Sequence, residues 1–201
     1  NYIEECIKSV AAQECDFPFE HVIGDDASSD RTREIILDYA ATYKHIRPLL
    51  QKERTYGLGN VRAVFSGVTA PYVSICEGDD YFIDPCKLQK QADALDAHPD
   101  VSVCAHPVEV FFQATGEKSI YPDLSKKDFR FMRNRSFFIL PELLRKNFIQ
   151  TNSVLYRWRF PKELPPWFNG QIMPQDWYWH ILHAETGKIL YLWEVMSGYR
   201  R

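Results

Sequence analysis

Tyr72-Val73-Ser74-Ile75-Cys76-Glu77-Gly78-Asp79-Asp80 is a short strand-forming run that ends abruptly in carboxylates around one glycine. The aromatic and β-branched residues suit a pleated, covered strand over Tyr72 to Cys76, and the acidic tail marks where that strand leaves the sheet. The same grammar stands upstream. Phe19 to Ile23 reads as a strand, Gly24 to Ser29 as a turn-rich loop carrying Asp25-Asp26, and Asp30 as the cap of a helix with apolar face Ile35, Ile36, Tyr39, Ala40 and Tyr43. Ile46 to Leu50 is then a strand, and Val61, Val64, Phe65 and Val68 mark a helix. Strands alternating with helices predict an α/β fold with a mostly parallel sheet, flanked by helices and binding ligands beyond the carboxyl ends of its strands.

Outside this centre, Asn1 and Glu4 have capping-box spacing ahead of a helix with Ile3, Cys6, Ile7 and Val10 on one face. Asp84-Pro85 opens another helix, and Val101 to Phe112 returns as an extended segment. Gln113 to Arg135 and the proline-rich Arg159 to Gly170 read as loops. Ile149 to Tyr156 is expected as a strand, Asp176 to Glu185 as a helix stopped by Gly187, and Ile189 to Val195 as the last strand.

The composition agrees with one folded domain over 1–201: 45% of residues are apolar and 25% charged, far from the disordered range. A formal charge of −3 offers no basic field for nucleic acid, so none is expected as a partner. Five cysteines with no C-x-x-C spacing fit neither a disulfide framework nor a zinc site and favour a reducing compartment. No apolar run is long enough to span a bilayer, which leaves peripheral membrane association open.

Adjacent carboxylates at one strand edge repel unless a cation or donors offset them, and an all-oxygen set suits Mg2+ or Mn2+ completed by phosphate oxygens and water. Turn formation and capping explain Asp25, Asp26 and Asp30 about equally well. Glu77 to Asp80 favours a functional reading. Asp176, ahead of Trp177-Tyr178-Trp179-His180, is either a helix cap or a general base. His180 and His183 lack a third metal ligand and read as surface or packing residues. Arg54, Arg62, Arg200 and Arg201 could meet a diphosphate, while Gly57 and Gly59 are too sparse to define a phosphate loop.

Taken in order, Asn1 to Val10, Ile23-Gly24-Asp25-Asp26-Ala27-Ser28-Ser29-Asp30, Glu77-Gly78-Asp79-Asp80-Tyr81-Phe82, Gln175-Asp176-Trp177 and Gly187 through Arg200 resemble the family 2 glycosyltransferases, which have the nucleotide-sugar-binding GT-A (Rossmann-like) fold. The resemblance implies that Asp26 contacts the nucleotide base, Asp79 the ribose or sugar side, and Asp80 a Mn2+ or Mg2+ ion bridging the diphosphate, with Asp176 as catalytic base. It implies an inverting transfer of a sugar from a nucleotide-diphosphate donor, with a UDP-sugar as the first candidate, to a saccharide or lipid-linked saccharide. The setting implied is bacterial surface-polysaccharide synthesis, in the cytoplasm or at the inner face of the cell membrane. Residues 1–112 would form the nucleotide-sugar half and 113–201 the acceptor and base half. The family's first strand, with its Tyr-Asn turn, is absent before Asn1, so a fragment is expected. The rival readings are a noncatalytic nucleotide- or sugar-binding module and a Mg2+-dependent phosphoryl-transfer or receiver-type domain.

Overall fold

The computed structural model describes residues 2–160, 164 and 175–201. The first half alternates as the sequence predicts: α1 (Tyr2–Ala11), β1 (His21–Asp25), α2 (Thr32–Thr42), β2 (Ile46–Leu50), α3 (Leu58–Phe65), β3 (Tyr72–Ser74), β4 (Tyr81–Phe82), α4 (Lys87–Ala97) and β5 (Val101–Ala105). The second half adds β6 (Val108–Phe111), β7 (Lys118–Tyr121), β8 (Phe137–Phe138), α5 (Leu140–Arg145), β9 (Leu155–Arg157), α6 (Gln175–Ala184), β10 (Lys188–Tyr191) and β11 (Ser197–Arg200). Two 3-10 turns, Lys127–Met132 and Thr151–Ser153, complete the described elements. No helix among the described residues is long and apolar enough to cross a membrane.

The α/β class holds, but the sheets are mixed rather than mostly parallel. β1 and β2 form a parallel pair; a second sheet runs β3-β9-β5-β10-β8 and a third β4-β11-β6-β7. Among the described residues, only β1 with β2, β5 with β10 and β6 with β11 pair in parallel. A parallel partner needs a long crossover, which the first half supplies with helices. The second half instead returns by hairpin, as in β6 to β7, and by the 3-10 turn that sends β9 antiparallel between β3 and β5. No described strand joins β1 to β3.

Local chemistry explains the shifted boundaries. Asp30 stands one position before the cap of α2, Arg31, and accepts from the Thr32 amide, and Asp84 stands two before the cap of α4, Cys86, and accepts from the Cys86 amide. The long extended segment breaks at His106-Pro107. Gln113 to Arg135 is not wholly loop: it contains β7, whose mostly exposed face hides the alternation a strand would otherwise reveal. Asn1 and most of Arg159 to Gly170 lie outside the described residues.

Ile3, Ile7, Ile23, Ile35, Ile36 and Ile46 join α1 and α2 to the β1–β2 pair. The largest core is aromatic and gathers Phe65, Phe138, Phe148, Tyr156, Trp158, Trp179 and Tyr191. This core seats α6 and so places Asp176. At the other end, β4 pairs with β11 in the register Ser197 to Phe82 and Gly198 to Tyr81. A β-carbon at Gly198 would lie 2.3 Å from the Tyr81 ring, so only glycine lets the ring lie flat against β11 and hold the Glu77–Asp80 turn beside it.

Candidate active site

In each aspartate pair one carboxylate faces inward and one outward, as expected where successive residues point to opposite sides of an extended chain. Asp25 is the inward member of the first pair. Its Oδ2 accepts from Arg33 Nε at 2.9 Å and Nη2 at 2.7 Å, and Arg33 also reaches the Gln51 carbonyl. Asp25 is therefore compensated within the fold rather than presented at the rim.

Asp26 faces the loop before α3. Its Oδ1 accepts from the Thr55 amide at 2.7 Å and from Thr55 Oγ1, and its Oδ2 from the Gly57 amide at 2.8 Å. The Thr55 hydroxyl and these amides, with the nearby Arg54 charge, hold the carboxyl below its usual range. With two donors on one oxygen and one on the other, Asp26 keeps an acceptor position on Oδ2 for a further partner. Gly57 and Gly59 form no open phosphate cradle: the Gly57 amide is committed to Asp26, and Gly59 packs against Thr55.

In the second pair Asp79 is exposed and Asp80 fully buried. Asp80 Oδ1 accepts from the Arg200 amide at 3.0 Å, whereas its Oδ2 is buried with no partner among the described residues. Burial above all, with Asp79 and Glu77 adding, pushes its pKa up to about 7. Arg200 does not reach outward as a diphosphate ligand. Its guanidinium donates to the Asp79 carbonyl and to Glu5, with its centre 5.0 Å from the Tyr2 ring and 4.6 Å from the Tyr81 ring. It clamps the acidic turn to α1 and β11.

Asp176 lies in the first turn of α6, inside the helix rather than capping it. Glu77, which the sequence groups with Asp79 and Asp80 without giving it a role, feels both acidic groups: desolvation, then Asp79 and Asp176, raise its carboxyl. The same Asp176 charge reaches the phenols of Tyr121 and Tyr156. The Asp176 charge is thus felt both at Glu77 and at Tyr121, and Tyr121, though not Asp176 itself, helps line a cavity of about 620 Å3. Phe112, Phe129, Lys126, Lys146 and Arg201 form other walls. The spacing Glu77-x-Asp79 was the signal for Glu77; nothing in the sequence pattern marked Tyr121.

The remaining candidates pack. Trp179 is buried in the aromatic core, and the Trp177 indole donates to the Leu143 carbonyl. His180 and His183 are fully buried, not on the surface: His180 Nδ1 shares a 2.6 Å hydrogen bond with the Tyr156 hydroxyl, and His183 Nδ1 donates to the Trp179 carbonyl. Lys87, the buried lysine nearest the acidic turn, is held by Gln91 and Ser74, not by an aspartate as a receiver-type site would need.

Residues 1–159 match the family described as Glycosyl transferase family 2. The chain belongs to glycosyl transferase family 2. Two relatives of this family 2 chain are the uncharacterized proteins Rv1520 of Mycobacterium tuberculosis and Mb1547 of Mycobacterium bovis. Each is 43% identical over 203 residues, a match that takes in all of this chain and 55% of the relative. The chain therefore spans about half the length of those relatives. Among solved structures, S. aureus TarS in complex with UDP matches with a TM-score of 0.71 at 18% identity, covering 100% of this chain and 56% of that one. The mannosyltransferase PcManGT from Pyrobaculum calidifontis, in complex with GDP-Man and Mn2+, matches with a TM-score of 0.68 at 15% identity, covering 98% and 52%. At these identities the likeness is one of fold, and the fold of this family 2 chain is GT-A.

Proposed function

We propose that this chain is the donor-binding and catalytic domain of an inverting glycosyltransferase. Residues 1–112 hold a nucleotide-diphosphate sugar, with a UDP-sugar as the first candidate, and residues 113–201 supply the base and the acceptor wall. The observation that carries this reading is the contrast between two buried aspartates: Asp25 is neutralised by Arg33, whereas Asp80 keeps an oxygen without a donor beside the exposed Glu77 and Asp79. A fold that compensates one buried carboxylate and leaves an oxygen of the other without a partner among the described residues supports a partner that arrives with the substrate.

The chemistry of that edge supports a divalent cation as the partner. Asp80 Oδ2, with Asp79 and Glu77 beside it, offers oxygen donors suited to Mn2+ or Mg2+. Among the described residues no group of three or more His, Cys, Asp or Glu side chains is arranged to hold an ion alone, so diphosphate oxygens and water would complete the shell. When bound, the cation offsets charge on the leaving diphosphate.

The chain's own groups do the rest. Asp26, held by Thr55 and Gly57, offers its remaining acceptor position to an N–H of the base, and Asp79 faces the ribose or sugar. The Asp176 carboxylate takes the proton of an acceptor hydroxyl as that oxygen bonds to the anomeric carbon. The bond from that carbon to the diphosphate oxygen breaks, and the nucleoside diphosphate leaves with the electron pair. The cavity lined by Tyr121, Phe112 and Phe129 suits the acceptor, a saccharide or lipid-linked saccharide, because flat aromatic walls cover sugar faces. A cytoplasmic site at the inner membrane face in surface-polysaccharide assembly is part of the same proposal, supported by the five free cysteines.

Sugar transfer by Asp176→Asn tests the base. Loss of a positioned base is expected to lower turnover at least about 100-fold, with UDP binding unchanged by calorimetry. Transfer at the wild-type rate contradicts the assignment.

A further inference from the structure

Between the two residues that tie the loop to Asp26 stands Tyr56, with φ of 53° followed by Gly57 at 86°. Glycine adopts this left-handed region readily; a bulky aromatic pays a steric penalty there. Tyr56 is nonetheless 88% exposed, the most exposed large hydrophobic side chain among the described residues. It makes no hydrogen bond, ring contact or cation contact within them. Strain with no internal packing to offset it points to a contact that the folded chain does not itself contain.

The anchoring of the loop fixes where that contact lies. The Thr55 and Gly57 amides both donate to the Asp26 carboxylate, so the backbone on either side of Tyr56 is tied to the same group. The phenol ring is therefore carried on a short, doubly held arch beside Asp26, whose Oδ2 retains an acceptor position. A planar ligand that donates an N–H to Asp26 brings its π-face into reach of that ring. We infer that Tyr56 is the stacking platform for the base of the nucleoside diphosphate, and that Asp26 acts both as its hydrogen-bond partner and as the anchor that holds Tyr56 in place. This inference rests on the donor reading given above and adds a residue that reads the base rather than the diphosphate. Stacking is tolerant of base identity, so Tyr56 strengthens binding of any nucleoside diphosphate, while the N–H partner of Asp26 sets the preference among bases.

The test separates base from diphosphate. UDP, GDP and inorganic pyrophosphate are titrated calorimetrically with Mn2+ present into the wild-type protein and into Tyr56→Phe and Tyr56→Asn. Asparagine tolerates the left-handed backbone, so the loop is retained while the ring is lost. Tyr56→Asn is expected to bind UDP at least about fivefold more weakly, the lower end of what base–aromatic stacking contributes, with pyrophosphate affinity unchanged and Tyr56→Phe close to wild type. Equal UDP affinity in Tyr56→Asn overturns the stacking and leaves the donor reading standing. Equal losses of UDP and pyrophosphate overturn it as well, because they assign Tyr56 to loop structure. A wild-type protein that takes neither UDP nor GDP overturns the donor reading and this inference with it.

Discussion

Acid should unfold this domain through its buried imidazoles, and His183 isolates the effect. Its ring stacks on Tyr156 at 4.1 Å between centroids and touches Trp158, Phe160 and Trp179, with Nε2 buried and without a partner among the described residues. Burial, together with the Arg159 charge, lowers its pKa from 6.5 to about 4 against the opposing hydrogen bond to Trp179, and neighbouring His180 falls to about 3. The unfolded chain therefore binds protons that the folded one refuses. The stability involved is fully present above pH 6.5 and is lost as pH falls toward 4. Between pH 7.5 and pH 5 the loss from His183 alone is about 2 kcal/mol, a large share of a typical domain's about 5–15 kcal/mol.

His183→Phe keeps the stacked ring and removes the titration. At pH 7.5 its stability should stay within about 1 kcal/mol of wild type, since one modest hydrogen bond and one unpartnered nitrogen disappear together. Urea unfolding followed by tryptophan fluorescence at pH 7.5 and 5 gives both values. The variant should lose about 2 kcal/mol less than wild type across that interval. Asp80 opposes the trend, because a raised carboxyl favours the folded state as pH falls, but it acts on both proteins alike. Equal pH dependence in the two proteins would mean that His183 does not carry the acid sensitivity.

Lys87, fully buried against Gln91 and Ser74, has its pKa lowered by burial from 10.5 to about 7. Its protonation penalty is relieved as pH rises from 7 toward 10.5, so wild type should gain about 2 kcal/mol between pH 7 and 9 that Lys87→Met does not, read by the same unfolding curves. Gly198→Ala sets a methyl group 2.3 Å from the Tyr81 ring, and the overpacking should cost about 1–3 kcal/mol in thermal unfolding. An unchanged melting temperature would mean that the Tyr81 ring is free to move.

The first half was legible because its signals are local. Apolar spacing in Ile3, Cys6, Ile7 and Val10 gives one buried helix face, and the carboxylates stand where β1 and β3 leave their sheets. What could not be read was which carboxylate of each pair turns inward, since that depends on partners far along the chain. Arg33 takes up Asp25, and the Arg200 amide reaches Asp80 across 120 residues of sequence. β11 was missed because Ser197 and Gly198 disguise a buried strand, and Gly198 is small only because Tyr81 needs the space. Asp176 comes close enough to be felt at Glu77 and Tyr121 through the placement of α6, which the aromatic core decides.

In the proposed function, the edge around the unpartnered Asp80 Oδ2 takes a nucleoside diphosphate together with a divalent cation. Calorimetric titration of UDP and GDP, with and without Mn2+, into the wild-type protein and Asp80→Ala tests it most directly. Saturable binding that needs Mn2+ and is lost in Asp80→Ala is the predicted result. Binding that is independent of Mn2+ and unchanged in Asp80→Ala would mean that Asp80 holds no cation.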